Sequence, residues 1–312
     1  MISTESSQPS DKSGTGLVVV ILNLNRPDDT IQCAQSVLQS GYPIGRIVVL
    51  DNGSSGDDVA RISSVFGSSI DVLRSEKNLG VAAGWNRAIA YASDLYSPDL
   101  VFLLNNDAVV DASVVGELVD FIQNHDCAGI AGPPIVDFLP PHQHQRKMLK
   151  DLSEPTIDYF LFGCALLIRW EVFESIGLFD EDFFVYGEET DLLERMKSSR
   201  WLPYYVPTRG KVYHKWAETA SMMSGFEAFQ RARSGLILRA KHHRGMRGLA
   251  SIASYFLHWE LAGYLSDLRS KDKQSRVLSR TRGIIAGLRM FRKVRAKPKV
   301  GLPIPSREHR SV

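Results

Sequence analysis

The sequence predicts an α/β fold: a mostly parallel sheet flanked by helices, followed by a basic helical extension. Three observations carry that expectation. Between Leu17 and about Val206, short apolar runs alternate with segments of helical spacing, the pattern of parallel strands joined by crossover helices. Several of the runs close on Asn or Asp, as strands do where they enter turns. Charge is also uneven: residues 225–312 hold 20 Lys+Arg against 5 Asp+Glu, while residues 1–224 hold 17 against 30.

The elements follow in order. LVVVILNL (17–24) is continuously apolar, as in a strand buried on both faces. Pro27 opens a helix carrying Ile31, Ala34, Val37 and Leu38 at helical spacing. RIVVLD (46–51) is a second strand, stopped by NGSSG (52–56), and DVLRS (71–75) is a third. VAAGWNRAIAYA (81–92) reads as a helix, DLVFLLNND (99–107) as a fourth strand, and a helix is expected from about Ala112 to Asn124. Residues 133–155, rich in Pro, His and Lys, read as a long loop. DYFLFGCALLI (158–168) is another buried strand with a helix after it. GLFDEDFFVYG (177–187) is an aromatic, acidic turn, and EETDLLERMKSS (188–199) a helix. Basic amphipathic helices are expected over 226–243 and 248–268, then a basic tail from Lys271 that ends in a Pro-containing coil.

These readings divide the chain into a disordered leader (1–16), a catalytic α/β domain (17–224) and a basic helical extension and tail (225–312). A hydrophobic fraction of 44% suffices for one large domain with a smaller appendage. The three cysteines are too scattered for a disulfide framework or a metal cluster. With no secretory leader and no apolar run long enough to span a bilayer, the chain is expected in the cytoplasm. No nucleic-acid partner is expected. The basic extension, with Tyr255, Phe256, Trp259 and Leu261 in a stretch of few charges, has two readings. It lies at the inner face of the membrane, or it packs on the acidic domain or a second copy with its charge solvated.

In an open parallel sheet, ligands bind outside the carboxyl ends of the strands. The residues that close the strands here are Asn25 and Arg26, Asp51 and Asn52, Asn78 and Gly80, then Asn105, Asn106 and Asp107. Asp107 can hold Mg²⁺ or Mn²⁺ against a diphosphate; equally, it can cap the helix expected near Ala112. Gly80 and Gly84 flank a strand-to-helix turn, where glycines let the backbone approach a ligand; no Walker sequence follows. Glu188, Glu189 and Asp191 open a helix, where acids complement the dipole. Glu189 also shares the stripe of Leu192, Leu193 and Met196, and a carboxylate on an apolar face suits a general base. Glu188 and Asp191 are then structural or acceptor-binding neighbours. His214 is a packed residue or a second metal ligand.

Six segments, in order, resemble glycosyltransferase family 2 and its bacterial rhamnosyltransferase-like branch over about residues 17–245. They are VVVILNLNR (18–26), IVVLDNGS (47–54), NLGVAAGWN (78–86), FLLNND (102–107), GCALLIRWEVFESIGLFDEDFFVYGEETDL (163–192) and VYHKWAETAS (212–221). The resemblance implies the type A glycosyltransferase fold and an inverting, metal-dependent transfer from a nucleotide diphosphate sugar. The donor would be dTDP-rhamnose or a UDP-sugar, the acceptor a glycan or lipid-linked glycan. It places Asn25, Arg26 and Asp51 at the nucleotide base and ribose, and Asn78, Gly80 and Gly84 near the nucleotide and diphosphate; Asn52 and Asn105 join them as nucleotide-sugar-binding candidates. Asp107 corresponds to the last acid of the family's Asp-X-Asp metal motif, His214 completes the metal site, and Glu189 is the base. The first acid of the motif is Asn105 here, and the base is Glu where many members have Asp.

Two rival functions remain. A sugar nucleotidyltransferase needs a Gly-rich N-terminal phosphate loop, and residues 22–30 contain no glycine. A catalytically degenerate nucleotide-sugar-binding or scaffold protein draws support from Asn105, against the acids at 107 and 189 and His214.

Overall fold

The protein is described from a computed structural model, which covers residues 16–137, 150–215, 224–243 and 245–296. The leader up to residue 15, most of the 133–155 loop and the final coil lie outside the described residues.

An eight-stranded sheet forms the centre, in the order β3-β2-β1-β4-β9-β6-β10-β8. Its strands are β1 (Leu17–Asn23), β2 (Arg46–Asp51), β3 (Asp71–Arg74), β4 (Leu100–Asn105), β6 (Ala128–Gly132), β8 (Thr156–Ile157), β9 (Ala165–Arg169) and β10 (Leu202–Tyr205). β1 to β4 run parallel; β9 is antiparallel to β4 and β6, and β8 to β10. The mostly parallel sheet expected from the alternation is therefore present. β1 alternates across it: Leu17, Val19 and Ile21 enter one core, Val18 and Val20 the other. Both faces are covered, so the run has no polar side. Each such side chain buried contributes roughly 1.5–3 kcal/mol, which fixes the register.

Helices α1 (Pro27–Leu38), α2 (Asp58–Phe66) and α4 (Val114–Asn124) cover the first face; α3 (Val81–Tyr96), α5 (Trp170–Ile176) and α6 (Glu188–Met196) cover the second. The order β3-β2-β1-β4 reverses direction at β1, so the switch-point crevice opens between the ends of β1 and β4.

The sequence reading missed a second sheet of three short strands, in the order β5-β11-β7: β5 (Ala108–Val110), β7 (Ile135–Asp137) and β11 (Val212–His214). β11 pairs antiparallel with β5, setting His214 opposite Ala108. The strand expected over 158–168 is confined to Ala165–Arg169.

The extension comprises α7 (Ser224–His242), α8 (Gly245–Tyr255), a π-helical turn (Phe256–Glu260), α9 (Leu261–Leu268) and α10 (Lys273–Ala296). The basic tail expected from Lys271 is helical over Lys273–Ala296. α10 lies against α7 through glycines: a Cβ on Gly283 would stand 2.2 Å from the Phe229 carbonyl oxygen, and one on Gly287 2.9 Å from Leu236 Cβ. Glycines at two contact positions thin out an apolar face that otherwise carries Met290, Phe291 and Val294.

Candidate active site

A buried polar network stands at the end of β1. Asn23 is fully buried and donates through Nδ2 to Asp51 (3.0 Å), Ser54 (3.2 Å) and Asp58 (2.8 Å), while its Oδ1 accepts from Thr30 at 2.8 Å. Asn106 donates to Thr30 Oγ1 at 3.1 Å, tying the turn after β4 into the same network. Asp51 is buried; its Oδ1 also accepts from Ser54, and Arg74 Nε stands 3.7 Å from its Oδ2. That Oδ2 is buried and has no hydrogen bond among the described residues. Asn25 adopts φ 54° and accepts from the Ser55 amide at 2.9 Å. Arg26 pairs with Asp29 at 2.5 Å.

The loop before α3 is clamped by Asn52, which donates to the Gly80 carbonyl at 2.9 Å and accepts from the Leu79 amide at 3.0 Å. Asn78 accepts from the Gly80 amide at 2.8 Å. The glycines here serve protein neighbours. Gly80 has φ 82°, and a Cβ would stand 2.4 Å from the Phe184 carbonyl oxygen; on Gly84 it would meet Asn52 Nδ2 and Leu22 Cδ1, each at 3.2 Å. The Val81 amide donates to that Phe184 carbonyl at 2.6 Å. Asn86, from α3, exchanges hydrogen bonds with the Phe179 backbone. The loop and the aromatic turn 177–187 are therefore one packed unit.

Asp107 occupies the turn between β4 and β5, ahead of Ser113, the residue that precedes α4. It is not a helix cap. His214 Nε2 lies 3.1 Å from Asp107 Oδ1 and 3.2 Å from Asn105 Nδ2, with Asp107 and His214 both buried. Burial alone would raise the Asp107 pKa. The hydrogen bond and charge of His214 and the charge of Arg26 outweigh it and hold the carboxyl below its ordinary value. A carboxylate oxygen and an imidazole nitrogen so placed can turn to one divalent ion. No cluster of three or more His, Cys, Asp or Glu suited to a metal occurs among the described residues. Two protein donors fit an ion that takes its other ligands from a diphosphate and water.

The three acids of α6 divide by environment. Asp191 is fully buried, with Oδ2 2.8 Å from Arg195 Nε and Oδ1 2.7 Å from Lys241 Nζ and 2.8 Å from His242 Nε2. Burial opposes ionisation, but the hydrogen bond to His242 and the charges of Arg195 and Lys241 hold its pKa well below the carboxylate range. Such a carboxylate is no base, and of the two places the sequence allowed it, the geometry fits the structural one. Glu188 is buried, and its Oε2 has no hydrogen bond among the described residues. Burial, then the charge of Glu189, pushes its pKa well up. Glu189 is only partly buried. Burial raises its pKa as well, but the backbone amides of the helix start and Thr190 favour its charged form. Glu189 accepts from the Gly187 amide and from Thr190 Oγ1, each at 3.3 Å, whereas Glu188 Oε2 has no such donor among the described residues, so Glu189 is the better placed of the two to carry charge. Gly163 lies against Glu189: a Cβ there would be 3.3 Å from Glu189 Cγ. The next carbonyl, of Cys164, accepts from the Asn105 amide at 3.0 Å, so the Glu189 side chain and the Asn105–Asp107 turn share one wall.

The family model for glycosyl transferase family 2 matches residues 18–177, just over half of the chain. The chain belongs to glycosyl transferase family 2. An N-acetylglucosaminyl-diphospho-decaprenol L-rhamnosyltransferase of Mycobacterium tuberculosis is 26% identical over 259 residues, 72% of this chain and 81% of that protein. The low-salt glycan biosynthesis hexosyltransferase Agl10 of Haloferax volcanii is 25% identical over 196 residues, 58% of this chain and 61% of that one. Among solved structures, the mannosyltransferase PcManGT from Pyrobaculum calidifontis, in complex with GDP-Man and Mn²⁺, superposes with a TM-score of 0.56 at 12% identity, covering 90% of this chain and 88% of that one. S. aureus TarS 1–349 superposes with a TM-score of 0.57, also at 12% identity, over 89% and 87% of the two chains. The fold is the type A glycosyltransferase fold.

In this family 2 glycosyltransferase, which uses a nucleotide-sugar donor, the structure adds residues the sequence reading passed over. Asn23 is the hub of the network at β1, and the available signal was an amide inside an otherwise apolar strand. Lys241 and His242 secure Asp191, and Lys241 also reaches Asp180 at 2.7 Å. They sit in the last turn of a basic helix with nothing local to mark their partners.

Proposed function

We propose that this glycosyltransferase moves a sugar, rhamnose from dTDP-rhamnose, onto a lipid-linked glycan in cell-envelope polysaccharide synthesis, with inversion at the anomeric carbon. The observation that carries the mechanism is the placing of Glu189: only partly buried at the start of α6, it shares a wall with the Asn105–Asp107 turn, while Glu188 beside it is buried. Glu189 takes the proton from an acceptor hydroxyl. The oxygen attacks the anomeric carbon on the face opposite the diphosphate, the carbon–diphosphate bond breaks, and the nucleoside diphosphate leaves. No covalent enzyme intermediate forms. Asn25, Arg26, Asp51 and Asn52 bind the nucleoside, with Asn78 and Gly80 shaping the loop beside it. Asp107 and His214 would hold Mg²⁺ or Mn²⁺, which offsets charge on the leaving diphosphate. The decaprenol-linked substrate in the name of the mycobacterial relative supports a lipid-linked acceptor, and its rhamnosyl specificity supports the donor. The Mn²⁺ bound in the mannosyltransferase complex supports the ion.

Thermal unfolding with dTDP-rhamnose, UDP-sugars and GDP-mannose, each with and without Mn²⁺, tests the donor and the ion together. A ligand at a hundred times its Kd stabilises by about 2.7 kcal/mol. The largest rise is expected for dTDP-rhamnose with Mn²⁺. A larger shift with another nucleotide overturns the donor assignment, and equal shifts without metal overturn the ion.

A further inference from the structure

No helix among the described residues is long and apolar enough to cross a membrane. The extension nevertheless exposes an apolar stripe. Along α8, the π turn and α9, Met246, Leu249, Leu257, Leu261, Leu265 and Leu268 are all exposed, Met246 to 86%. They recur every three or four residues, with exposed Ala253 filling the one gap. Four-residue steps drift around an α-helix, and the wider π turn at Phe256–Glu260 takes up part of that drift. Trp259 stands beside the stripe at 69% exposure. The same segment buries Tyr255, whose hydroxyl donates to the Arg231 carbonyl of α7 at 3.3 Å. Its aromatics are thus divided: Tyr255 fastens the helix to the protein, and Trp259 does not.

Charge is divided in the same way. Both acids of this segment, Glu260 and Asp267, are buried. Asp267 binds Arg276 Nε at 2.8 Å and Arg280 Nε at 2.6 Å, and Glu260 lies 3.3 Å from Arg280 Nη1. The outer face therefore carries no carboxylate. Its border is net cationic: Arg269, Lys271 and Lys273 are exposed after α9 with a single exposed acid, Asp272, among them, and Arg282 and Arg289 are exposed along α10 beside Leu278, Ile285 and Leu288.

We propose that this face docks on an anionic bilayer surface, with the α8–α9 stripe entering the headgroup boundary, Trp259 at headgroup level and the cations on lipid phosphates. Inward acids and bordering cations complement a negative plane, whereas a second copy of the same face would bring like charges together. The proposal rests on the lipid-linked acceptor only for its purpose; vesicle binding is measured without donor or acceptor.

The test is flotation of the full chain with phosphatidylglycerol-containing vesicles and with pure phosphatidylcholine vesicles, at low and high salt. The comparison protein carries Leu257→Ser, Trp259→Ser and Leu261→Ser, all at exposed positions, so its fold is retained; circular dichroism verifies this. Expected is partition to the anionic vesicles, weakened by salt and reduced at least about tenfold in the variant, with brominated lipid quenching the wild-type tryptophan emission. Transfer to a water-soluble acceptor should be unchanged in the variant, which separates docking from catalysis. Three results overturn the proposal: no binding to either vesicle, equal binding by the variant, or a self-associated wild type that the variant dissolves and that ignores lipid.

Discussion

Asp191 Oδ1 and His242 Nε2 stand 2.8 Å apart across 51 residues of sequence, joining the helix that carries Glu189 to the first helix of the extension. Lys241 and Arg195 complete the contact, and Arg195 also holds the carbonyls of Gly177 (3.1 Å) and Leu178 (2.8 Å). Removing one charge from a buried cluster strands the others. Asp191→Asn should therefore cost about 3–5 kcal/mol in urea unfolding. The Asp191 pKa is depressed in the folded state, so its stabilisation is present above the ordinary carboxylate range. It is lost as pH falls through that range toward the folded value. Wild type should lose more stability than Asp191→Asn between pH 5 and pH 3. Parallel losses would show that the cluster contributes nothing through ionisation.

The neighbouring acids should respond in opposite ways. Glu189→Gln keeps the shape and removes the base, so turnover should fall at least about a hundredfold while donor binding persists. Glu188 has a raised folded pKa, so its favourable contribution is present below the ordinary Glu range and is lost as pH rises toward the folded value. Glu188→Gln should consequently lose less melting temperature than wild type between pH 5 and pH 8. Normal turnover in Glu189→Gln with a dead Glu188→Gln would reverse the two assignments.

Asp107→Ala should abolish Mn²⁺-dependent donor binding, read by titration calorimetry, and reduce transfer to background. The turn it occupies ends a strand already paired on both sides by β1 and β9, so the melting temperature without ligand should change little. Unaltered nucleotide affinity in Mn²⁺ would remove Asp107 from the metal site. His214→Ala should weaken the same binding less, since a carboxylate is the harder donor for such an ion.

What the sequence made legible was local. The buried strands β1, β2 and β4 announce themselves by apolar runs closed with Asn or Asp, and the hydrogen bonds of Asn23, Asp51 and Asn106 join those ends in one network. The second sheet was invisible because β5, β7 and β11 are three residues each, too short to show a period. It nonetheless sets His214 beside Asp107. The α10 helix was hidden by its glycine contacts with α7, and the hold of Lys241 and His242 on Asp191 by distance along the chain. The glycines at 80 and 84 were visible, but the sequence could not say that they approach Phe184 and Asn52.

Gly80 offers the sharpest test of how donor loop and base are joined. Its φ of 82° and ψ of −177° belong to a region that side-chain-bearing residues essentially never occupy. A Cβ would also stand 2.4 Å from the Phe184 carbonyl oxygen, which receives the Val81 amide. Gly80→Ala must therefore push the loop off the 177–187 turn, at a cost of about 1–3 kcal/mol in stability. Because that turn runs directly into Glu188 and Glu189, the displacement should lower kcat as well as raise KM for the donor. Gly84→Ala is the control. It sits inside α3 with ordinary helical geometry and would press only on Asn52 and Leu22 at 3.2 Å, so it should raise KM with little change in kcat. Steady-state kinetics of the two variants decide the matter: if Gly80→Ala shifts KM alone, the nucleotide loop and the base move independently, and the contact at Phe184 carries stability rather than alignment.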